Sequence, residues 1–381
     1  GTYSVCEKEE NNWYRSYPED SNCQEVSVNL AEEVSNVDFG NYQYATISGM
    51  KFEDMNGDGM KDPGDFGLEN WTIKLGEEST ITNDDGKYSF SVKPGTYTIC
   101  EELKTDWIQT FPKGENVYDC GDGTYGYQVT VTSGEELTDF DFGNFELGKI
   151  SGYKFLDING DGNWDENEPR FSAWTIELYD GENLIATTTT DESGYYEFTK
   201  LGPGTYKVCE VLETGYNQTF PTNGDCYEIT ITSGLESENN NFGNKLNICF
   251  KGLLPPVNHY DWKTFQKLST LPVKFQLLAC ESNEKGGWIL GEPIPDEIAQ
   301  NYVKAQLNIW KEDNCFPAIS SGNSNFQNYF RYSLGGKQFI FNLSTKMSIF
   351  SKGNSFTLQI IISGVSLAQA IPDPIVTIKI K

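Results

Sequence analysis

The feature that most constrains this chain of 381 residues is a long internal repeat. The segment ISGMKFEDMNGDGMKDPGD begins at Ile47 and returns as ISGYKFLDINGDGNWDENE from Ile150. Further along, GTYTICE returns as GTYKVCE, and each copy closes on a Phe-Gly-Asn triplet. Self-similarity in a fixed order indicates tandem copies of one structural unit. We place the copies at about residues 47–146 and 147–246.

The two ends of the chain depart from this unit. Residues 1–46 hold GTYSVCE, a second cysteine and DFGN, and therefore only the second half of a third repeat. After residue 246 the acidic character falls, lysine becomes common and new alternating segments appear, at Leu271–Ala279 and Val303–Trp310. Alternation with period two is typical of half-buried strands. We expect a separate C-terminal β domain over residues 247–381.

Composition supports an almost all-β protein and excludes several functions. The 37 glycines, 21 tyrosines and 23 phenylalanines alternate with Thr, Val and Ile, which favours strands and turns. With 56 acidic and 28 basic residues, the net charge of −28 repels nucleic acids and anionic lipid surfaces. No stretch reaches the roughly 18 apolar residues of a membrane span. A single histidine, His259, leaves little material for histidine-dependent catalysis or metal sites.

The nine cysteines fall into pairs that follow the repeats. Matched positions in each unit predict one disulfide per repeat in an oxidising compartment, because the spacing lacks the CxxC pattern of zinc sites. In the last domain Cys280 with Cys315 is the expected pair, which leaves Cys249 over. The three predicted repeat disulfides are Cys6–Cys23, Cys100–Cys120 and Cys209–Cys226.

Each complete repeat carries an acidic loop with the spacing of a twelve-residue calcium loop. Side-chain oxygens occupy positions 1, 3, 5, 9 and 12, a glycine stands at position 6, and position 7 contributes its carbonyl. The alternative is a solvated Asp/Asn/Gly turn, but clustered carboxylates repel one another without a cation. The predicted Ca²⁺ ligands are Asp54, Asn56, Asp58, Met60, Asp62 and Asp65 in the first loop and Asp157, Asn159, Asp161, Asn163, Asp165 and Glu168 in the second.

A lysine, a glutamate and an asparagine are also predicted to point into the core of each repeat. In strands with period two, Lys51 shares a face with Ile47, Glu101 lies on the apolar face of GTYTICE, and Asn144 follows Phe142. The second repeat reproduces the set as Lys154, Glu210 and Asn244, and the half unit retains Glu7 and Asn41.

Burying these three groups separately is costly, so they form either a satisfied polar network or a reaction centre. Desolvation lowers the pKa of a lysine and raises that of a carboxyl. A neutral amine beside a protonated acid can attack an amide carbonyl. The pattern therefore favours a Lys–Asn isopeptide bond, with hydrogen bonding alone as the alternative.

These motifs, from SGxKF through the DxNGDG loop and PGTYxxCE to FGN, resemble the B-type repeats of bacterial surface adhesins. The resemblance covers the serine-aspartate-repeat and collagen-adhesin groups. It implies prealbumin-like, reverse immunoglobulin β-sandwiches, calcium in the acidic loops and, in the collagen-adhesin group, a Lys–Asn bond assisted by the glutamate. The serine-aspartate group binds calcium without that bond. Residues 250–258 and the following LPVKFQL are similar to the Pro-x-Lys-Phe domain of secreted microbial proteins.

The function expected from these features is structural. We expect a non-enzymatic extracellular stalk or filament segment, stiffened by calcium, disulfides and isopeptide bonds. Its expected partners are neighbouring repeats or subunits and host or cell-surface ligands. Two alternatives remain open: an accessory region of a secreted hydrolase or carbohydrate-binding protein, and a filament subunit whose half repeat is completed by another chain.

Overall fold

The computed structural model describes residues 1–257, 264, 265, 267, 269–283, 287–320, 328–351, 354–365, 367–370 and 375–380. Asn258, which ends the Pro-x-Lys-Phe-like segment, and His259 lie outside the described residues. About 54% of the chain is strand and 3% helix, so the prediction of an almost all-β protein is confirmed. Among the described residues, no helix is long and apolar enough to span a bilayer.

The first complete repeat is a sandwich of two sheets. One sheet has the strand order β12-β13-β10-β7-β8, and the other has the order β11-β15-β5-β14, with β6 and β9 also paired to β5. Alternating apolar residues from both sheets meet in a core that includes Ile47, Ile99 and Phe142. Its strands are β5 (Ala45–Glu53), β6 (Phe66–Gly67), β7 (Thr72–Leu75), β8 (Glu78–Ile81), β9 (Lys87–Val92), β10 (Gly95–Glu101), β11 (Trp107–Phe111), β12 (Tyr118–Asp119), β13 (Tyr125–Val131), β14 (Glu136–Leu137) and β15 (Phe142–Glu146).

The second repeat has the same topology. Its sheets have the orders β18-β17-β20-β22 and β19-β16-β24-β21, with β23 also paired to β16. In both repeats the first strand runs parallel to the last, β5 beside β15 and β16 beside β24. The strands are β16 (Gly148–Leu156), β17 (Thr175–Asp180), β18 (Asn183–Thr189), β19 (Tyr195–Leu201), β20 (Gly204–Glu210), β21 (Tyr216–Phe220), β22 (Tyr227–Ile231), β23 (Glu236–Ser237) and β24 (Phe242–Leu246).

The half unit forms two separate two-stranded ladders. The strands β1 (Thr2–Cys6) and β3 (Cys23–Ser27) pair with each other, as do β2 (Tyr14–Tyr17) and β4 (Gly40–Tyr42). These ladders correspond to β10–β13 and β11–β15 of the first repeat.

Residues after 247 form a third sandwich with its own core. One sheet has the order β31-β32-β27-β25-β34, with β28 on β27, and the other has the order β26-β35-β33-β29-β30. The elements are β25 (Ile248–Leu254), β26 (Thr264–Phe265), β27 (Thr270–Ser282), β28 (Trp288–Pro293), α1 (Asp296–Asn301), β29 (Lys304–Lys311), β30 (Asn314–Pro317), β31 (Arg331–Ser333), β32 (Gln338–Ser344), β33 (Ser355–Ser363), β34 (Leu367–Ala370) and β35 (Ile375–Ile380).

Successive units are joined by one recurring contact. The Thr-Ser-Gly turn of a repeat binds the residue two positions after the Phe-Gly-Asn triplet of the preceding unit. Gln43 donates its N–H to the Ser133 hydroxyl at 2.8 Å, and Glu146 donates to Ser233 at the same distance. The half unit therefore meets the first repeat as the first repeat meets the second.

The disulfides confirm the repeat pairs and correct the last one. Cys6–Cys23, Cys100–Cys120 and Cys209–Cys226 are bonded. The predicted Cys280–Cys315 pair is wrong, because Cys280 is bonded to Cys249 and Cys315 is free and exposed. The physical reason is strand adjacency. Cys249 on β25 and Cys280 on β27 lie in neighbouring antiparallel strands with Cα atoms 5.9 Å apart, whereas Cys315 lies on β30 in the opposite sheet.

This pairing predicts the result of thiol mapping. Without reductant, an alkylating reagent should label Cys315 alone, because the other described cysteines are bonded. Peptide mass mapping should recover a Cys249–Cys280 peptide. Labelling of Cys249, or recovery of a Cys280–Cys315 peptide, would contradict the structure.

Candidate functional site: a buried lysine, glutamate and asparagine in each repeat

Three strands bring the lysine, glutamate and asparagine of the first repeat into its core. Lys51 lies on β5 on the same face as Ile47, Glu101 ends β10 two residues after Ile99, and Asn144 lies on β15. Since side chains alternate across a strand, each polar side chain shares the inward face of its strand with an apolar residue two or four positions away. The predicted convergence therefore follows from local strand periodicity in all three strands.

The lysine and glutamate form a buried ion pair in both repeats. The distance from Lys51 Nζ to Glu101 Oε2 is 3.2 Å, and both side chains are fully buried. In the second repeat the corresponding distance from Lys154 to Glu210 is 3.4 Å. Each ammonium also donates to a backbone carbonyl of the last strand, Lys51 to that of Phe142 at 3.4 Å. The amine thus faces the strand that carries the asparagine.

The asparagine is buried without the partners that its amide requires. Both polar atoms of Asn144 and both carboxylate oxygens of Glu101 lack a hydrogen bond of normal geometry within the described chain, and Asn244 and Glu210 share this condition. The amides of Asn144 and Gln109 still lie close enough to Glu101 to favour its charged form. Leaving buried polar groups unpaired costs about 1–3 kcal/mol each, so native proteins rarely do so without a functional reason.

Burial shifts the pKa values of the pair toward each other. Desolvation lowers the pKa of Lys51 to about 8, against an opposing effect of Glu101, and it raises the pKa of Glu101. Lys154 and Glu210 show the same shifts for the same reason, with Lys154 at about 8. Both shifts lower the cost of moving a proton from the ammonium to the carboxylate, a transfer that yields a neutral amine and a neutral acid.

Sequence reasoning missed an aromatic residue at each centre. Lys51 Nζ lies 4.5 Å from the ring centroid of Trp71, and Lys154 Nζ lies 4.7 Å from that of Trp174. Both indoles are buried, and they exclude water from the amine. The sequence does contain a pattern that points to these tryptophans, because a Trp-Thr-Ile triplet occupies the same place in both repeats.

In the half unit the corresponding residues touch but are not enclosed. The Asn41 amide donates to the Glu7 carboxylate. Both side chains were expected to point inward, yet Asn41 is exposed and Glu7 is only half-buried. The front half that encloses Glu101 and Asn144 has no counterpart among residues 1–44.

The acidic loop of the first repeat gathers its predicted ligands by hydrogen bonds. The fully buried Asp54 accepts the N–H groups of Gly57 and Gly59 at 2.7 and 2.8 Å. The Asn56 amide donates to the carboxylates of Asp58 and Asp62, at 3.1 Å in each case. The remaining predicted ligands are Asp65, which accepts two backbone N–H groups of the loop, and Met60, whose side chain is exposed.

The second loop repeats this arrangement. Asp157 accepts the N–H groups of Gly160 and Gly162, and the Asn159 amide donates to Asp161 and Asp165. Position 12 is filled by Glu168, which accepts two backbone N–H groups, and the position 7 residue Asn163 donates to Asp161.

The donor set of each loop consists of oxygens, which suits a hard cation. Within the described residues, however, no three acidic, histidine or cysteine side chains lie in metal-binding geometry. The amide of Asn56 or Asn159 instead presents its N–H groups to two carboxylates. The residue types therefore fit calcium, and binding requires this amide to turn away from the carboxylates.

Comparison with known proteins places the two complete repeats in a family. The family described as "SdrD B-like domain" matches residues 45–144 and 148–243. Serine-aspartate repeat-containing protein F of Staphylococcus epidermidis (strain ATCC 12228 / FDA PCI 1200) is 32% identical over 220 residues, which cover 54% of this chain and 13% of that protein. Serine-aspartate repeat-containing protein D of Staphylococcus aureus (strain Newman) is 32% identical over 211 residues, which cover 50% of this chain and 15% of that protein. The chain thus spans a small part of the length of these relatives.

Among solved structures, the likeness is weaker. The major pilin subunit BcpA of Bacillus cereus is 12% identical, with 62% of this chain and 68% of that chain covered and a TM-score of 0.23. The Bacillus anthracis TIE protein is 14% identical, with 95% of this chain and 52% of that chain covered and a TM-score of 0.28.

Proposed function

Because the chain belongs to the SdrD B-like domain family, we propose that it is a load-bearing segment of a surface stalk in which an isopeptide bond closes each complete repeat. The matched relatives are surface adhesins rather than enzymes, and the chain is extracellular. One observation carries the proposal. In both repeats a buried amine with a lowered pKa lies beside a buried carboxyl and faces the strand of an unpaired asparagine amide.

The reaction needs only groups of the chain. Glu101 takes a proton from Lys51, and the neutral Nζ attacks the side-chain carbonyl carbon of Asn144. As the new C–N bond forms, Nζ releases a second proton and the C–N bond to the amide nitrogen breaks. One of the two protons released by Nζ passes through Glu101 to the departing nitrogen, which leaves as ammonia, and the other remains on Glu101. Lys154, Glu210 and Asn244 carry out the same exchange in the second repeat.

The bond changes the path of force through a repeat. The chain enters the first repeat at β5 and leaves it at β15, and these two strands lie side by side and parallel. With Lys51 joined to Asn144, tension passes from one strand to the other through covalent bonds, and the residues between them carry no load. Hydrogen bonds alone would shear under the same tension.

Intact mass measurement tests the bond. The purified, reduced chain should weigh two ammonia molecules less than its sequence. Glu101→Ala should restore one of them, while Glu102→Ala, a change at the exposed neighbouring position, should restore none. An unshifted mass of the parent chain would rule out the bonds.

We further propose that each acidic loop holds one Ca²⁺ ion. The first loop would use Asp54, Asn56, Asp58, Asp62 and Asp65 with the Met60 carbonyl, and the second would use the equivalent residues from Asp157 to Glu168. The ion would neutralise the carboxylates and fix the loop. The first loop also contacts the next repeat, since the Met55 carbonyl accepts the Ser233 N–H at 3.0 Å. Calcium would therefore stiffen the joint between the repeats.

Calcium removal is expected to lower stability. Extracellular calcium modules have Kd values of roughly 0.1–1 mM. At a calcium concentration about 10 to 100 times the Kd, removing the ion lowers the free energy of unfolding by about 1–3 kcal/mol per site. Calorimetry with and without a chelator measures this loss of stability. The double variant Asp58→Asn, Asp62→Asn should abolish the calcium dependence of the stability of the first repeat. The matched control is Asp84→Asn, in an exposed hairpin turn. Identical melting and protease sensitivity with and without calcium would show that the loops are only turns.

A further inference from the structure

The strand β18 of the second repeat lies at the edge of its sheet. It pairs with β17 on one side, and no strand within the described ranges pairs with its other side. It is also accessible on both faces, since none of its seven residues is buried. An edge strand of this kind presents unpaired N–H and C=O groups to any strand that can approach it.

The register between β17 and β18 shows which backbone groups point outward. The Thr190 N–H donates to the Trp174 carbonyl at 2.9 Å. Hydrogen-bonded pairs alternate with non-hydrogen-bonded pairs in an antiparallel ladder, so the backbone groups of Thr188 also face β17. The N–H and C=O groups of Thr187 and Thr189 therefore point to the open edge.

The strand also differs from the rest of the chain in its charge. Residues 183–190, with the sequence NLIATTTT, carry no charge in a chain whose net charge is −28. Leu184 is 51% exposed and Ile185 is 49% exposed, so apolar side chains lie on the surface at the open edge. An uncharged run that is rich in β-branched residues and contains no proline is typical of segments that pair with further strands.

The equivalent edge of the first repeat is blocked by charge. There β8 pairs with β7 as β18 pairs with β17, with Leu75 facing Glu78 where Leu178 faces Ala186. The strand β8 begins at the exposed Glu78, whereas β18 begins three residues before Ala186, at Asn183. Charged side chains at an edge oppose pairing with another strand. The second repeat therefore has the longer edge and lacks the charge that protects the first.

We propose that β18 is a self-association site, at which β18 of one chain pairs antiparallel with β18 of a second copy. Charge selects this occupant. Two copies with a net charge of −28 each repel one another where their acidic surfaces meet, but residues 183–190 place only uncharged side chains opposite one another. Cross-strand pairs of β-branched residues stabilise such a ladder. A two-fold axis relates the copies, so the contact closes at two chains.

The contact makes one continuous sheet from the β18-β17-β20-β22 sheets of both copies. A single strand pair buries less area than the roughly 1,200–2,000 Å² of a stable interface, so free chains should associate weakly. Many copies held on one surface would associate more strongly, because their effective concentration is higher. The contact requires neither calcium nor isopeptide bonds.

Sedimentation equilibrium over a concentration series tests the contact. All samples carry Cys315→Ser, which removes the exposed free thiol as a route to a covalent dimer. The mean mass should rise from that of one chain toward that of two as the concentration increases. Thr187→Lys or Thr189→Lys, each at an exposed position, should keep the mass at that of one chain over the same range. Higher salt should strengthen the association of the parent, because it screens the repulsion between the copies.

The matched control is Ser79→Lys, at the position of β8 that corresponds to Thr187. This variant should associate as the parent does. Thermal melting of each lysine variant at the temperature of the parent shows that the variant is folded.

Amide exchange locates the contact without any substitution in β18. Where about nine-tenths of the chains are paired, the N–H groups of Thr187 and Thr189 should exchange about tenfold more slowly, because only the unpaired chain exposes them. The N–H of Thr188 already faces β17 and should exchange at the same rate in both states.

Four outcomes would overturn the proposal. The first is the mass of a single chain at every concentration, and the second is association that both lysine variants of β18 leave intact. The third is a dimer in which exchange slows elsewhere but not at Thr187 and Thr189. The fourth is loss of association in Ser79→Lys, which would assign the contact to β18 of one copy against β8 of the other.

Discussion

Pulled from its two ends, the first complete repeat should release almost no length, whereas in a Glu101→Ala variant it should release on the order of 250 Å of chain. The parent repeat is held by the proposed bond between Lys51 and Asn144, and only the few residues outside this bond can extend. In the variant the bond cannot form, so the strands separate and the whole repeat unravels apart from the loop closed by Cys100–Cys120.

Single-molecule force spectroscopy measures this difference directly. Glu102→Ala is the matched control, because its side chain is exposed and its removal should leave the first repeat inextensible. The second repeat, whose centre is untouched in both variants, serves as an internal reference. Equal extension of the parent chain and the Glu101→Ala variant would show that the first repeat is not covalently closed.

The second large effect concerns the buried charges themselves. In Glu101→Ala the Lys51 amine remains in the core without its carboxylate, whereas Lys51→Met with Glu101→Leu removes both charges and keeps similar volumes. Removing one partner of a buried pair costs about 3–5 kcal/mol, while replacing both is often neutral. The single variant should therefore be less stable than the double variant by roughly that amount, as measured by denaturant-dependent amide exchange in β5 and β15. Neither variant can form the bond, so the comparison isolates the charge.

The pH dependence provides an independent check. Burial lowers the pKa of Lys51 to about 8 even with Glu101 present, and its unfolded value is about 10.4. Between these values the unfolded state binds more protons, so the unfolding free energy of the single variant should rise as the pH increases from about 8 toward 10. The double variant should lack this rise, because it has no lysine at this position. A single variant with the stability and pH profile of the double variant would mean that Lys51 reaches solvent.

Much of the candidate site could be read from the sequence because it depends on local periodicity. The strand faces on which Lys51, Glu101 and Asn144 lie follow from the alternation of side chains within single strands. The second repeat shows the same pattern, so each observation is made twice. The three repeat disulfides followed from matched positions in each unit. The tryptophans over the lysines were missed because an aromatic residue immediately before a strand usually belongs only to the core.

The repeat, the all-β character and the inward direction of the polar residues could be predicted from the sequence, since these are properties of short segments. Which strands are neighbours became known from the three-dimensional fold. It joined Cys249 to Cys280 instead of Cys280 to Cys315, and it set β5 parallel to β15, so that the amine faces the strand of the asparagine. It also left Asn41 exposed where Asn144 is buried. The physical reason is that strand alternation is fixed by each residue's own backbone, whereas burial and pairing depend on segments far away in the chain.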